Sequence, residues 1–240
     1  MNDEHDNSQD DRAALEKLLL ASENPFNKPE SCRTCPLFGE PGPVRGLGPS
    51  DAKLFLVGEA PGGEEVDHPQ HRPERFKPFI GGAGRLLSSL CSQAGINRNK
   101  AFVTNVVKCR PPGNRTPTAL EIVHCAPFLI EEIEKGSPNV LVALGEVALN
   151  VLADKKGIGL HRGVVYEGFG GRKVFPTWHP AFIARAQYNW PFAVADLLRA
   201  QAESTFKEIR RVPFELVVDE NSPASRNALL AAIRARQAFA

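Results

Sequence analysis

Two pairs of cysteines carry the first chemical signal in this chain. Cys32 and Cys35 form a C-x2-C inside a segment rich in proline and glycine, and Cys109 and Cys125 bracket a loop of proline, glycine and arginine. Cys109 follows an apolar run and Cys125 lies early in the next helical run, so one loop can bring both thiolates together. Four thiolates make a tetrahedral set able to hold zinc or an iron–sulfur cluster. Spacing leaves both open, although the second pair is wider than in a usual zinc ribbon and leans to the cluster. The site would also anchor residues 24–52, whose prolines and glycines forbid long regular structure. Cys91 falls among apolar helical positions and reads as a buried, inert thiol. Five cysteines, an odd number, argue against a disulfide framework.

A second constellation is polar. Glu59, Asn105 and His179 each follow or end a short apolar run. Those runs are residues 53–58, 101–108, 139–145 and 173–179, rich in Val, Leu or Phe and mostly apolar on both faces, as strands buried on both sides are. Between them lie helical segments at 82–95, 116–136 and 145–155, with another at 190–204. Pro117 suits a first helical turn and Gly136 a C-cap. Alternating strands and helices imply a parallel sheet covered on both faces, with right-handed crossovers. Ligands bind such sheets beyond the carboxyl ends of the strands. There Glu59, Asn105, Gly145 and His179 should share one rim.

The chain has 240 residues, ordinary hydrophobicity at 42% and a net charge of +1. No apolar run approaches the ~20 residues that span a bilayer. The acidic, polar start resembles no signal or transit peptide, so a cytoplasmic protein is expected. Basic residues cluster locally: Lys108, Arg110 and Arg115; Arg72, Arg75 and Lys77; Arg172, Lys173 and Arg185. Such patches attract phosphates even on a nearly neutral chain, although a solvated face is the simpler reading of charge alone. Three parts are expected: residues 1–24 as a tail with a helix over 11–22, a domain over 25–205, and an appendage over 206–240 with a strand near 212–219 and a final helix.

"GEAPG" (58–62), "PFIGGAGRLL" (78–87), "TNVVKCRPPGNRTP" (104–117), Cys125 and "HPA" (179–181) together resemble the family 4 uracil-DNA glycosylases, the iron–sulfur branch of that superfamily. The match covers about residues 30–205. The resemblance implies a three-layer α/β/α fold around a four-stranded parallel sheet, a [4Fe-4S] cluster on Cys32, Cys35, Cys109 and Cys125, and excision of uracil from single- or double-stranded DNA by a monomer. It places Gly58, Phe79 and Asn105 against the base, Phe79 stacking on the flipped uracil and Asn105 reading its edge. Glu59 matches the acidic residue associated with the hydrolytic water, and His179 the histidine facing uracil O2. The better-known branch has an aspartate where this chain has Ala60. The segment 66–77, with His68 and His71, is longer than usual. The loop "RPPGNRTP" lacks the histidine through which a related branch binds DNA covalently.

The chemistry suits these types. A base must leave the stack before it is cut, and needs a π-face, a polar reader and a held water. Asn105 offers donor and acceptor together. A neutral His179 can donate to the oxygen that gains charge. Glu59 can hold or deprotonate water. Arg110, Arg115 and Arg185 are placed for phosphates, as are N–H groups near Gly82 where a helix opens. Phe182 or Ile183 could wedge into the vacated stack. A competing reading is a catalytically weak nucleic-acid-binding module held together by zinc or a cluster. A nucleotide-binding Rossmann protein is disfavoured by the missing glycine fingerprint.

Overall fold

The structure, a computed structural model, describes residues 24, 26–66 and 76–210. The helix expected at 11–22, residues 67–75 of the long segment (with His68, His71, Arg72 and Arg75) and the elements expected beyond residue 210 lie outside the described residues. The compact unit that holds the sheet reaches Glu208. Phe206 lies inside it, since its carbonyl accepts from Lys173 Nζ at 2.7 Å.

Five strands form one sheet in the order β2-β1-β3-β5-β4. They are β1 (Leu54–Gly58), β2 (Phe102–Asn105), β3 (Val140–Leu144), β4 (Tyr166–Glu167) and β5 (Lys173–Thr177). The four expected strands are present and parallel. The addition is β4, two residues long, which pairs antiparallel at the edge beside β5. Alternate residues of β1 feed two cores. Leu54 and Leu56 join Leu87, Leu90, Val142 and Phe175 on one face. Phe55 and Val57 join Leu129, Ile133, Leu141 and Leu149 on the other. This is the three-layer arrangement, with helices burying apolar stripes on both faces.

The helices among the described residues are α1 (Gly63–Val66), α2 (Gly82–Gln93), α3 (Ala119–Gly136), α4 (Glu146–Ala153), α5 (Ile158–His161), α6 (Pro180–Arg185) and α7 (Trp190–Glu203). Cys91 is fully buried within α2, and burial pushes its thiol up to about 11, as an inert cysteine requires. α3 starts at Ala119, two residues after Pro117, which therefore lies ahead of the helix rather than in its first turn; Thr118 and Glu121 close a capping box. Its C-cap is Ser137 in the left-handed region (φ 44), not Gly136. Gly136 serves packing instead: a Cβ there would lie 2.2 Å from the Phe55 ring.

Two residues read as basic surface are interior. Lys108, 1% exposed, pairs with Glu132 at 2.8 Å and donates to Thr104 Oγ1 and the Asn105 carbonyl, each at 2.7 Å. Lys173 is buried and bonded to the Glu203 carboxylate at 3.1 Å. Neither ammonium is free for phosphate.

Candidate active site

The carboxyl ends of β1 and β2 are in register, with Gly58 opposite Asn105. The pairing continues past both strands, because Val106 N–H donates to Gly58 O at 2.9 Å and Val107 N–H to Glu59 O at 3.1 Å. Gly58 is required here. A Cβ would lie 2.4 Å from both Asn105 Oδ1 and Phe79 Cζ. Asn105, 1% exposed, has neither its amide nitrogen nor its oxygen hydrogen-bonded. An amide unsatisfied at both ends is expensive, and in a native site it calls for a ligand.

His179 lines a cleft together with Phe79. Its ring lies 6.0 Å, centroid to centroid, from the Phe79 ring. It is also the N-cap of α6: Nδ1 accepts from Ala181 N–H at 3.1 Å, with Pro180 at the first helical position. Nδ1 must therefore be unprotonated, and the neutral ring carries its proton on Nε2. Burial, assisted by the Arg185 charge, holds the imidazole down at about 4. Gly145 packs against it, since a Cβ at Gly145 would lie 3.0 Å from His179 Cβ. Burial raises the Glu59 carboxyl above its ordinary range, and a hydrogen bond with Thr116 partly offsets this. Glu59, Phe79 and His179 line one cleft of about 720 Å³, with Arg115, Phe182 and Arg185 at its walls.

Phe79 sits at φ 56, rare for a residue with a side chain, so neighbours must hold it. Arg98 Nη2 donates to its carbonyl at 2.6 Å and Nη1 to Gly84 O at 3.0 Å. The buried Glu65 carboxylate accepts from the N–H of Gly62 at 2.6 Å and from those of Phe79 and Ile80. Gly84 lets α2 pass close beneath; a Cβ there would lie 1.8 Å from Phe79 O. Sequence reasoning missed Glu65 and Arg98. The adjacent carboxylates of "GGEEV" were the available signal, but nothing in them points to a turn that follows the long insertion.

Residues 45–200 match the family model of the uracil DNA glycosylase superfamily. The chain belongs to this superfamily. It is 41% identical over 163 residues to the Type-4 uracil-DNA glycosylase of Thermotoga maritima, covering 67% of this chain and 81% of that protein. Its identity to the Type-4 uracil-DNA glycosylase of Saccharolobus solfataricus is 37% over 190 residues, 75% and 80% of the two chains. The Type-5 uracil-DNA glycosylase of Thermus thermophilus is 31% identical over 188 residues, 62% and 82%. The match to the Type-4 proteins places the chain in that branch.

Of the four expected ligand cysteines, Cys32 is half-buried, whereas Cys35, Cys109 and Cys125 are buried. Cys35 and Cys109 are buried in one small cluster with Leu37. Burial pushes the Cys109 thiol up to about 12, with Cys125 and Cys32 raising it further and Lys28 lowering it. Burial likewise raises Cys125, which feels Cys35 and Cys32 and accepts Lys108 N–H at 3.3 Å. Yet among the described residues no three His, Cys, Asp or Glu side chains stand close enough to hold a single metal ion.

The arginines are partly engaged. Arg115 forms a bidentate pair with Glu121 at 2.9 and 2.6 Å, tying the loop to the cap of α3. Arg110 Nε donates to Asn114 Oδ1 at 2.8 Å. The Gly82 N–H already donates to Glu64 Oε1 at 3.0 Å, and Glu64 also binds Arg85. Phe182 is exposed on the cleft wall, whereas Ile183 is fully buried in the core and cannot be a wedge. All five cysteines are free, and no helix among the described residues is long and apolar enough to cross a membrane.

Proposed function

We propose that this chain hydrolyses the N-glycosidic bond of uracil in DNA, releasing the base and leaving an abasic site. The observation that carries the reading is Asn105, whose amide is buried with both ends unsatisfied near the Phe79 ring, which itself lies 6.0 Å from the His179 ring. Uracil presents a carbonyl and an N–H side by side, the complement of that amide. The flipped base stacks on Phe79, and the bare Gly58 lets the Phe79 ring and the Asn105 amide come together beside it. Water adds to the sugar C1′ as the C1′–N1 bond breaks. The bond's electron pair leaves with uracil, and Glu59 takes the water's proton. The Nε2–H of His179 donates to O2, where the leaving charge gathers. Glu59 in its anionic form also stabilises the cationic sugar. Arg110, Arg115 and Arg185 grip phosphates. Gly82 is left out of that set because its N–H is used by Glu64. The reduced cysteines suit a cytoplasmic enzyme.

We also propose that Cys32, Cys35, Cys109 and Cys125 hold a [4Fe-4S] cluster. The chemistry of the donor set supports the reading: four cysteine thiols, two of them in one buried cluster, suit an iron–sulfur centre. Its role is structural: it ties residues 32–35 to the loop that follows β2 and to α3. Uracil hydrolysis needs no electron transfer.

The deciding experiment incubates the purified protein with single- and double-stranded oligonucleotides carrying one uracil. Free uracil and an alkali-labile abasic site are expected from the parent protein, with strong losses in the Asn105 and His179 variants. Binding without base release would refute the enzyme and leave the nucleic-acid-binding module.

A further inference from the structure

Lys28 presents a charge that no carboxylate among the described residues balances. It is 4% exposed, though it lies in the irregular segment ahead of Cys32. An ammonium has three donors. Two go to backbone carbonyls, of Leu37 and, at 2.6 Å, of Glu40. The charge is also close enough to Cys109 to act on its thiol, drawing it down against the effect of burial. The rings of Phe26 and Phe38 lie 5.5 and 6.0 Å from Nζ. No carboxylate among the described residues forms an ion pair with it, unlike Lys108, which has Glu132, and Lys173, which has Glu203. Burying a charge without a counter-charge is costly enough that native proteins avoid it. Of these neighbours only the Cys109 thiol can become anionic.

We infer that Lys28 is the built-in counter-ion of an anionic tetrathiolate centre on Cys32, Cys35, Cys109 and Cys125. The inference rests on the proposal that these cysteines hold an iron–sulfur cluster. Four thiolates outweigh the charge of the cluster core, so the site is net negative and a buried ammonium complements it. The two carbonyl bonds fix the ammonium in place, so its field is aimed at the site. Lys28 thereby holds the ligand loop from Cys35 to Glu40 around its own counter-charge.

The test compares anaerobically purified parent protein with Lys28→Met, which keeps the apolar stem, and Lys28→Arg, which keeps the charge. Iron, inorganic sulfide and zinc are measured in each, followed by the rate of metal loss to a chelator. Lys28→Met should lose its metal at least tenfold faster than the parent, and Lys28→Arg should remain within a few-fold of it. If iron is present, the reduced-to-oxidised ratio at a fixed potential should fall about tenfold in Lys28→Met, a downward shift of about 59 mV for a one-electron couple. Circular dichroism separates misfolding from metal loss. A folded Lys28→Met protein with parental metal content, loss rate and potential would overturn the counter-ion. A parent protein with no metal would instead remove the centre itself, whatever the variants do.

Discussion

If Asn105 is built for a base, removing its polarity should stabilise the free protein while disabling it. Leucine has nearly the outline of asparagine and needs no partner. The amide nitrogen and oxygen of Asn105 are both buried and unpaired, and each such group costs about 1–3 kcal/mol. Leucine must pack its methyls against Phe79 beside Gly58, which consumes part of that gain, so the expected net is about 2 kcal/mol. For a domain of this size each kcal/mol moves the unfolding midpoint by roughly 2–4 °C, so Asn105→Leu should melt about 4–8 °C higher. It should also lose two hydrogen bonds to the base, at ~1.5 kcal/mol each, or roughly a hundredfold in kcat/KM. The assay pairs thermal melts at one scan rate and equal metal content with single-turnover uracil release. An unchanged or lower midpoint in a folded variant would refute the argument that the amide waits unsatisfied. Parental excision by Asn105→Leu would remove Asn105 from the role of reader.

Other outcomes follow from the same site. His179→Ala should slow turnover by on the order of a hundredfold with little change in binding to uracil-DNA, because its donor meets charge that appears mainly in the transition state; a loss confined to affinity would contradict this. Since His179 is held at about 4 and burial raises Glu59, the acid limb of the kcat/KM profile should belong to Glu59 and lie above the ordinary carboxylate value of 4.5; Glu59→Gln should abolish the limb along with most activity, and a limb surviving in that variant would reassign it. The same imidazole should tilt stability: the unfolded chain takes up a proton near 6.5 that the folded chain refuses until about 4, so stability is full above that window and falls as pH drops through it. Denaturant titrations of His179→Asn, which keeps a capping oxygen, should show a shallower slope. Cys91→Ser should leave iron and sulfide content unchanged, whereas Cys109→Ser should lower metal content and stability together.

The parts that sequence made legible are those where one physical demand dominates. A strand buried on both faces must be apolar throughout, so β1, β2, β3 and β5 were visible, and their ends located Glu59, Asn105 and His179. β4 has two residues, too few for any period. α6 has six residues and owes its start to the His179 ring, a tertiary partner that no periodicity announces. Charge was legible and burial was not, so Lys108 and Lys173 read as surface although each sits over a carboxylate in the interior. Gly136 looked like a helix stop because glycines usually are; the space it vacates for the Phe55 ring comes from another element. Phe79 was legible through its motif, but its positive φ and the clamp of Glu65 and Arg98 depend on contacts across the fold.

The stretch from Asn105 to Cys125 crosses from the end of β2 to the first turns of α3, stitched by Lys108 to the Asn105 carbonyl and to the Cys125 sulfur, and by Arg115 to the cap of the helix. A single short crossover between related genes would therefore exchange base reader, phosphate grip and two thiols as one inherited parcel, while Glu59 and His179, borne on other strands, would stay behind. The same linkage penalises piecemeal drift, because a change of loop length displaces every member at once.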